Sequence, residues 1–477
     1  MAIGSRNPFG RSQGSHPTLS AKVESAHPVP KAKGVQVNWR DGHASIYNTT
    51  WLRVNCPANV HASGQRLASP GDVLDVTPVT VAPAEGKEGM RVTWSDGHES
   101  VYPSQWLRLH DSSVSSIIDR QVRQWRAGGA RVSENQGSWP VALRSWEAIP
   151  KVAFADFTAG EEGVYQLLRS VNNTGLCTLE GVGTEPDTVE SIAQRISPLS
   201  HSMLYGRTFD VISQDNARNI AFTSEHLRPH QDLVYYESPP GLQLLHCLHY
   251  DASVEGGASL FLDAFEAARL FRKAHAEAFS VLTTTPATFQ KIRKLVVQEE
   301  GEGGEGDKGE VEKGGYSTAN AAALSASYMT YQRPHIEVDT DGEITGVFWA
   351  PMFEGTLHVP SKDIQPYYEA YALFQAFLEV GDFAEEHTVR ARMQPGQCMV
   401  FNNRRMLHGR EGFSGSGKRH MQGCYTNVDE SLSRYIVLHN DHIKATSGGT
   451  IADKDAASHG AVRRWGNGTI PQVMQGL

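Results

Sequence analysis

Three His-x-Asp pairs are the residues of this chain best suited to holding a metal ion: His230–Asp232, His249–Asp251 and His439–Asp441. Residues two apart on a β-strand project to the same face, so each pair could present an imidazole and a carboxylate to one ion. A distant second histidine would complete a two-His, one-carboxylate triad, which holds Fe(II) and leaves positions open for an oxidant and a co-substrate. The spacing is common, so the surrounding sequence has to discriminate between the pairs.

The first pair has surroundings that suit such a site. Residues 235–247 follow it as a turn into a strongly apolar strand pattern, and residues 396–410 contain a second apolar strand pattern followed by His408. Eleven residues after this histidine comes Arg419. Its guanidinium could grip the carboxylate of an acidic co-substrate through two parallel hydrogen bonds. These positions favour the first pair together with His408 as the metal ligands.

Strand patterns mixed with helical patterns begin near residue 150 and would position these side chains. One helix is predicted after Asp263, a suitable N-cap with Glu266 three residues later, and another is predicted to start near Pro366. The apolar stripes of both helices indicate core faces. Residues 299–315 consist of Gly, Glu, Asp and Lys with one Val. Because this composition cannot bury apolar area, it predicts a mobile insertion in a surface loop.

A repeated segment precedes this region. Residues 35–53 recur at 90–108 with the same order of an alternating strand, an Asp-Gly-His turn, a Tyr and a final Trp-Leu-Arg. This pattern predicts two β-hairpins in a small β domain that spans residues 35–112. The paired tryptophans are predicted to fill its core, because a domain of two hairpins has few other residues with which to do so.

Composition limits the class of protein. The chain has 477 residues, of which 39% are hydrophobic and 20% charged, and a net charge of −9; this indicates a folded protein of two or three domains. No apolar run reaches the ~18 residues of a membrane span. No long Lys/Arg run indicates a nucleic-acid partner. Five scattered cysteines favour a reducing compartment over a disulfide scaffold.

The two ends of the chain and the segment between the domains are predicted to lack a core. Residues 1–34 contain Gly, Ser and Pro throughout and a single acidic residue, which favours a disordered leader and leaves a mitochondrial presequence as the alternative. Residues 113–150 are predicted to be a linker, and residues 446–477 a loose tail. We therefore expect a main domain at 151–445 in a cytoplasmic protein, with a mitochondrial location as the alternative.

Three stretches carry a resemblance to a known family. PHQDLVYYESPPGLQLLHCL, FNNRRMLHGR and RHMQGCYTNVDESLSR resemble the γ-butyrobetaine dioxygenase and trimethyllysine dioxygenase group. These are Fe(II)- and 2-oxoglutarate-dependent oxygenases and wider relatives of the taurine dioxygenases. The resemblance covers roughly residues 35–445 and implies an α+β fold. Such a fold has a double-stranded β-helix (jelly-roll) core with flanking helices and a small N-terminal β domain.

The resemblance also implies roles for individual residues. His230, Asp232 and His408 would bind Fe(II), while Arg419 and Ser259 would bind the distal carboxylate of 2-oxoglutarate. The positions that match the family's substrate pocket or stand beside it are the aromatic residues Tyr205, Phe209, Phe222 and Tyr425, the carboxylate-binding Asn219, and the wall residues Phe348 and Trp349. The family's Trp and one Tyr are Phe here, and its second Asn has no counterpart at 347–351. A smaller and more apolar pocket is therefore expected.

A second metal site of the family is degenerate in this sequence. Relatives hold zinc in the N-terminal domain with three closely spaced Cys residues and a later His. Cys56 and His98 match two of these ligands, but Ala58 and Asn59 replace the other thiolates and leave His61 as the alternative third ligand. Because a structural zinc site needs four ligands, loss of tight zinc binding is favoured over its retention.

Together these residues predict an enzyme. The chain is expected to oxidise an unactivated C–H bond of a small amino acid or betaine-like zwitterion with O2, releasing succinate and CO2, in a specialised pathway. A γ-butyrobetaine or trimethyllysine hydroxylase of carnitine biosynthesis is the alternative within this class, and a catalytically inactive jelly-roll binding module is the alternative outside it. The family commonly dimerises, so the resemblance implies a homodimer. Neither a nucleic acid nor a membrane is an expected partner.

Overall fold

A computed structural model of the chain describes residues 22–59, 67, 69–111, 113, 143–200, 204–212, 224–293, 327–339, 342–415, 417–447 and 465. These residues belong to two compact units, one within residues 1–126 and one within residues 127–470. Within the described ranges, no helix combines the length and the apolar character that a membrane crossing requires. The predicted insertion at 299–315 and most of the predicted linker lie outside the described residues.

In the first unit, each copy of the repeat folds into a three-stranded antiparallel sheet followed by a six-residue helix. The first copy comprises β1 (Val23–Val29), β2 (Gly34–Trp39), β3 (Ala44–Asn48) and α1 (Thr49–Val54). The second copy comprises β4 (Pro78–Pro83), β5 (Gly89–Trp94), β6 (Glu99–Pro103) and α2 (Ser104–Leu109). The two predicted hairpins are confirmed as β2–β3 and β5–β6. The Asp-Gly turns use Gly42 and Gly97 in the left-handed region, with φ of 84° and 81°.

The strand β1 corrects the predicted leader at 1–34. Residues 23–29 pair antiparallel with β2 instead of remaining unstructured. Val23 is the one fully buried side chain of this edge strand, and the other six are partly or fully exposed. Such a strand has no apolar alternation from which it could be recognised, because its stability comes from pairing with a neighbour. Residues 1–21 lie outside the described ranges.

The two repeats exchange equivalent contacts. Arg53 at the end of α1 forms an ion pair of 2.8 Å with Asp96 in the turn of the second hairpin, and Arg108 of α2 forms one of 2.8 Å with Asp41 in the turn of the first. The predicted tryptophan core is confirmed for the strand residues, since Trp39 and Trp94 are buried. The helix residues Trp51 and Trp106 are partly buried and contact each other, with ring centroids 5.4 Å apart.

The second unit is built around two sheets. A six-stranded sheet has the order β7-β8-β19-β11-β22-β9, and a four-stranded sheet has the order β10-β20-β13-β18. The strands are β7 (Lys151–Ala153), β8 (Leu176–Glu180), β9 (Phe209–Ile212), β10 (Leu227–His230), β11 (Leu242–Tyr250), β12 (Glu255–Gly256), β13 (Ser259–Asp263), β14 (Ala287–Arg293), β15 (Ser327–Arg333), β16 (Ile336–Val338), β17 (Ile344–Val347), β18 (Val389–Ala391), β19 (Cys398–Asn402), β20 (Met406–Arg410), β21 (Phe413–Ser414) and β22 (Arg419–Thr426). The β7–β8 pair is parallel, and every other pairing within the two sheets is antiparallel.

The two sheets face each other across a shared apolar core. Phe261 of the small sheet packs edge-on against Phe401 of the large sheet, with ring centroids 5.2 Å apart, and Met399 and Met421 lie in the same buried cluster. Burying a side chain of this size stabilises the fold by about 1.5–3 kcal/mol. This pair of mainly antiparallel sheets agrees with the predicted jelly-roll core.

Helices cover the outer faces of both sheets and give the mixed α+β content that was predicted. The helices of this unit are α3 (Phe154–Ala159), α4 (Glu161–Thr174), α5 (Thr188–Ile196), α6 (Ala264–Ala274), α7 (Ala276–Thr284), α8 (Ser361–Glu379), α9 (Asp382–His387) and α10 (Val428–Ser447). The predicted N-cap is confirmed, since the Asp263 carboxylate accepts hydrogen bonds from the backbone N–H groups of Phe265 and Glu266. The predicted start near Pro366 is wrong by five residues. The exposed first turn of α8 carries no apolar stripe that could indicate where the helix begins.

One described residue of the predicted loose tail is part of the core. Trp465 is fully buried and stacks on Tyr435 of α10, with ring centroids 6.2 Å apart. The prediction that the whole of 446–477 is loose is therefore wrong at this position.

A buried polar cluster lies beside the strand β17. His335 is fully buried, and its ring contacts the Phe348 carbonyl at 2.9 Å and the Tyr367 hydroxyl at 2.8 Å. Burial lowers the pKa of this histidine to about 4, so it is neutral near pH 7. The Glu354 carboxylate lies 3.9 Å from the same ring. Burial raises the pKa of Glu354 from 4.5 to about 7, with Tyr371 opposing part of the rise.

We expect the Glu354→Gln variant to be more stable than the wild type in alkaline solution. The folded protein binds this proton more tightly than the unfolded chain, so the wild type loses stability as pH rises from 4.5 to about 7 and carries the full penalty above that value. The variant should therefore gain about 3 kcal/mol at pH 8, and this gain should shrink toward zero near pH 4.5. Urea unfolding across this range measures it. The exposed Glu343→Gln is the control, and a pH-independent gain would contradict the assignment.

Candidate active site

The structure brings together the three residues that the sequence selected as metal ligands. His230 ends β10 and pairs in register with His408 of the neighbouring β20, and Asp232 follows β10 by two residues. The Asp232 carboxylate oxygens lie 3.5 Å from Nε2 of His230 and 3.6 Å from Nε2 of His408. Within the described ranges, this is the one group of three or more His, Cys, Asp or Glu residues whose ligand atoms all lie within 4.8 Å of one another.

The protonation states of the triad suit metal binding. Burial favours the neutral form of Asp232, but the two neighbouring histidines outweigh it and hold the pKa of this carboxyl well below its usual value. Burial, with the adjacent His230, lowers the pKa of His408. The Nδ1 atom of His230 lies 2.8 Å from the Arg228 carbonyl oxygen, to which it donates, so Nε2 keeps a free lone pair on the side of the carboxylate. An ionised carboxylate and neutral imidazoles are the forms that ligate a metal.

The other two His-x-Asp pairs differ from the first. His249 and Asp251 are exposed, and their side chains contact each other at 2.6 Å without a third ligand residue among the described groups. His439 and Asp441 lie on the helix α10, where residues two apart do not share a face. The His439 ring is hydrogen-bonded to the hydroxyl of Tyr165, at 2.9 Å. Neither pair resembles the triad geometry.

A cleft between the two sheets contains the triad. Beyond the triad, its lining residues are Tyr205, Phe209, Val211, Leu227, Gln243, Leu245, Ser259, Gly409, Arg410, Arg419, Met421 and Tyr425. Arg419 and Tyr425 stand six residues apart on β22, which separates them by roughly 20 Å along the strand. The cleft therefore has a cationic end near the start of β22 and an aromatic end near its finish.

The cationic end has the character of a carboxylate-binding site. Arg419 is 7% exposed and lies over the Tyr250 ring, 5.6 Å from its centroid. Burial lowers the pKa of this guanidinium, which remains charged near pH 7 because its usual value is so high. Ser259 is also 7% exposed and pairs across strands with Arg410, which lines the cleft as well. Two buried guanidinium groups and a hydroxyl thus face the same space.

Of the four aromatic residues predicted to surround the substrate, the structure describes three, and these three form the aromatic end of the cleft. Phe209 of β9 stacks on Tyr425, with ring centroids 5.1 Å apart, and Tyr205 tilts against Phe209 at 5.8 Å. All three are at most 9% exposed and line the cleft. The predicted Asn219 and Phe222 lie outside the described residues.

Comparison with known proteins agrees with this geometry. Residues 140–425 match the family described as taurine catabolism dioxygenase TauD, TfdA family, and residues 29–108 match the gamma-butyrobetaine hydroxylase-like N-terminal family. The chain belongs to the TauD, TfdA family of dioxygenases. The predicted class, a 2-oxoglutarate-dependent dioxygenase, is therefore confirmed.

Curated relatives of this TauD-family chain cover almost its whole length. Gamma-butyrobetaine dioxygenase of Pseudomonas sp. (strain AK-1) is 32% identical over 415 residues, which cover 85% of this chain and 94% of that protein. Human gamma-butyrobetaine dioxygenase is 26% identical and covers 88% and 98%. Trimethyllysine dioxygenase of Meyerozyma guilliermondii is 26% identical and covers 85% and 93%. The predicted resemblance is confirmed.

Two predicted pocket residues do not line the cleft of this family member. The Trp349 indole is fully buried against Tyr371 and Phe374 of α8, with ring centroids 4.6 and 5.1 Å away. Phe348 is buried under the guanidinium of Arg333, which lies 4.3 Å from its centroid. The backbone of Trp349 does approach the site, since its carbonyl accepts a hydrogen bond from the Gln231 N–H at 2.8 Å. The segment is thus near the triad, but these two rings lie outside the cleft lining.

Among the residues around the site that the sequence reasoning missed, three are polar. Gln243 and Arg410 line the cleft, and Asn403 is fully buried against the backbone of Asp232. Each left a signal in the sequence, because Gln243 interrupts an apolar strand and the other two flank His408 within FNNRRMLHGR. A polar residue inside an apolar strand pattern indicates a side chain that faces a site or a buried partner.

The degenerate zinc site of the N-terminal unit keeps two of its ligands close together. The Cys56 sulfur lies 3.4 Å from Nε2 of His98. The Asn59 side chain accepts a hydrogen bond from the Arg53 guanidinium and donates one to the Arg53 backbone carbonyl. Ala58 is exposed. The predicted third ligand, His61, lies outside the described residues. The described part of the site therefore offers two ligand atoms, and these do not fit a closed four-ligand zinc site.

Proposed function

We propose that this dioxygenase oxidises an unactivated C–H bond of a small amino-acid or betaine-like zwitterion and uses His230, Asp232 and His408 to hold Fe(II). The observation that carries the proposal is the facial arrangement of these three ligands in a cleft with one cationic and one aromatic end. Fe(II) held by these residues would activate O2, which would oxidise 2-oxoglutarate to succinate and CO2 and then oxidise the substrate C–H bond. The protein residues bind and orient the two organic molecules.

The cationic end binds the co-substrate. Arg419 receives the distal carboxylate of 2-oxoglutarate through its guanidinium fork, and the hydroxyl of Ser259 donates a further hydrogen bond. Both side chains are buried, so this carboxylate is removed from water, where a charge-assisted hydrogen bond is stronger. The other end of the co-substrate is thereby directed from Arg419 toward the triad.

The aromatic end binds the substrate. Tyr205, Phe209 and Tyr425 offer ring faces to an ammonium group or to apolar carbons. Asn219, which the sequence predicts as a ligand of the substrate carboxylate, lies outside the described residues. Phe209 stands where the family has a larger aromatic ring, which attracts a cation more strongly, and no second Asn is present at 347–351. A free amino acid with an aliphatic side chain therefore suits this end better than a quaternary ammonium. The rings also exclude water from the carbon to be oxidised.

A second candidate is the hydroxylation of γ-butyrobetaine or trimethyllysine. It is favoured by the three retained aromatic residues, because such rings attract a trimethylammonium by about 0.5–2 kcal/mol. It is also favoured by the activities named for the relatives. A catalytically inactive binding module has no comparable support, since the ligand set and Arg419 are all in place.

The proposal predicts which substrates support succinate release. Purified protein supplied with Fe(II), 2-oxoglutarate and O2 should release succinate with valine-like amino acids at several times the kcat/KM of γ-butyrobetaine and trimethyllysine. Measuring succinate for each compound, with 2-oxoglutarate alone as the background, tests it. More efficient turnover of γ-butyrobetaine would replace the first candidate with the second, and no release with any zwitterion would contradict both.

A further inference from the structure

The carboxylate of Asp232 is held by a residue outside the triad. The Tyr425 hydroxyl donates a hydrogen bond to Oδ2 of Asp232 over 2.8 Å, and this tyrosine is 3% exposed. The other oxygen, Oδ1, lies on the side of His230, 3.5 Å from Nε2. Oδ2 also lies 3.6 Å from Nε2 of His408, so each oxygen faces one imidazole, and within the described residues the phenol hydrogen bond is what distinguishes Oδ2 from Oδ1.

The backbone of Asp232 is held by a second residue. The fully buried Asn403 accepts a hydrogen bond from the Asp232 N–H at 2.9 Å and donates from its amide to the Asp232 carbonyl at 3.0 Å. The backbone N–H of Asn403 also donates to the Gly241 carbonyl at 2.8 Å. Asn403 stands in the turn between β19 and β20, five residues before His408. One side chain thus ties the loop of Asp232 to the hairpin that carries the other half of the triad.

We propose that Tyr425 and Asn403 are positioning residues that fix Asp232 as a one-oxygen metal ligand, an inference that rests on the function proposed above. The hydrogen bond from the phenol to Oδ2 would disfavour binding of a metal ion through both oxygens of Asp232. The amide clamp sets the distance between Asp232 and the strand of His408. Partners of this kind, which orient a ligand without touching the metal, change metal affinity by about 10–100-fold when removed.

The position of Tyr425 also joins the metal site to the aromatic end of the cleft. Its ring stacks on Phe209, and its hydroxyl bonds to Asp232. A substrate that enters between the rings therefore contacts the residue that orients the metal ligand. Tyr425 therefore both lines the cleft and orients Asp232. Phe209 contacts the Tyr425 ring without contacting Asp232, so its replacement is a suitable control for the replacement of Tyr425.

The test measures anaerobic binding of Fe(II) and of Co(II), whose visible absorption reports coordination geometry, to the wild type and to Tyr425→Phe. We expect Tyr425→Phe to bind both ions about 10-fold more weakly and to change the Co(II) spectrum, with the thermal midpoint of the metal-free protein unchanged. Phe209→Leu should alter neither the affinity nor the spectrum. Wild-type affinity and spectrum in Tyr425→Phe would overturn the role of Tyr425.

A second variant tests the amide clamp. Asn403→Asp keeps an acceptor for the Asp232 N–H but loses the hydrogen bonds that the amide donates to the carbonyls of Asp232, at 3.0 Å, and Pro240, at 3.3 Å, so it should fold and bind Co(II) more weakly than the wild type. Wild-type binding and spectrum in Asn403→Asp would remove Asn403 from the proposal. Absence of metal binding by the wild type, or unchanged binding by His230→Ala, would instead overturn the proposed function, and the two failures are therefore distinguishable.

Discussion

Replacing His230, Asp232 or His408 with alanine is expected to abolish substrate-dependent succinate formation. Each residue supplies one of three protein ligands, and the two that remain in each variant cannot enclose one side of the ion. We expect Fe(II) affinity to fall by more than about 100-fold, because even partners outside the ligand set cost 10–100-fold. Anaerobic Fe(II) titration and a succinate assay at saturating 2-oxoglutarate measure the two effects separately.

His249→Ala is the matched control for these three variants. It removes a histidine from the same short motif, but the exposed His249–Asp251 pair lies apart from the triad in the described structure. Its Fe(II) affinity and succinate formation should equal those of the wild type. Full activity of His408→Ala, or loss of Fe(II) binding by His249→Ala alone, would contradict the assignment of the metal site.

The metal triad could be predicted because its determinants are local or lie in two recognisable strands. His230 and Asp232 are two residues apart, and the apolar strand before His408 indicates a strand that ends at the site. The hairpins of the N-terminal unit were predictable for the same reason, since an Asp-Gly turn needs the left-handed φ that Gly42 and Gly97 adopt. In both cases the pattern lies within a few residues of the feature it predicts.

The features that could not be predicted depend on contacts between distant parts of the chain. Tyr425 was predicted from family matching as a box residue, but its bond to Asp232 spans 193 positions and appears only in the fold. The backbone of Trp349 lies near the triad, but its indole packs against α8. The direction of this side chain is set by packing against a distant part of the chain, which the local sequence does not indicate. Trp465 is a comparable case, since it reaches the core from a polar tail.

The cationic end of the cleft contains a buried guanidinium group, that of Arg419. Burial of Arg419 has a cost, since a desolvated guanidinium is stable only when it gains hydrogen bonds or an opposite charge. Its Nε atom is buried and makes no hydrogen bond among the described atoms, although aromatic rings lie on either side of the group. A dianionic co-substrate would provide the missing partner. Burial of Arg419 therefore lowers the stability of the folded protein, and binding of 2-oxoglutarate would restore part of that stability.

Arg419→Ala is therefore expected to weaken 2-oxoglutarate binding selectively. Loss of a buried, charge-assisted partner costs on the order of 2–5 kcal/mol, which corresponds to a factor of about 30 or more in Kd. Arg419→Lys keeps the charge but loses the fork, so its Kd should lie between those of Arg419→Ala and the wild type. The exposed Arg390→Ala should leave the Kd unchanged. Anaerobic titration of the Fe(II)-loaded protein with 2-oxoglutarate measures each value.

The decisive comparison uses 2-oxopentanoate, a co-substrate analogue that has a methyl group in place of the distal carboxylate. The wild type should bind it far more weakly than 2-oxoglutarate, because Arg419 is then left buried beside an apolar group. In Arg419→Ala most of this preference should be lost, and only the part supplied by the Ser259 hydroxyl should remain. Undiminished preference of Arg419→Ala for 2-oxoglutarate would show that the neighbouring Arg410, which lines the same end of the cleft, binds the distal carboxylate instead.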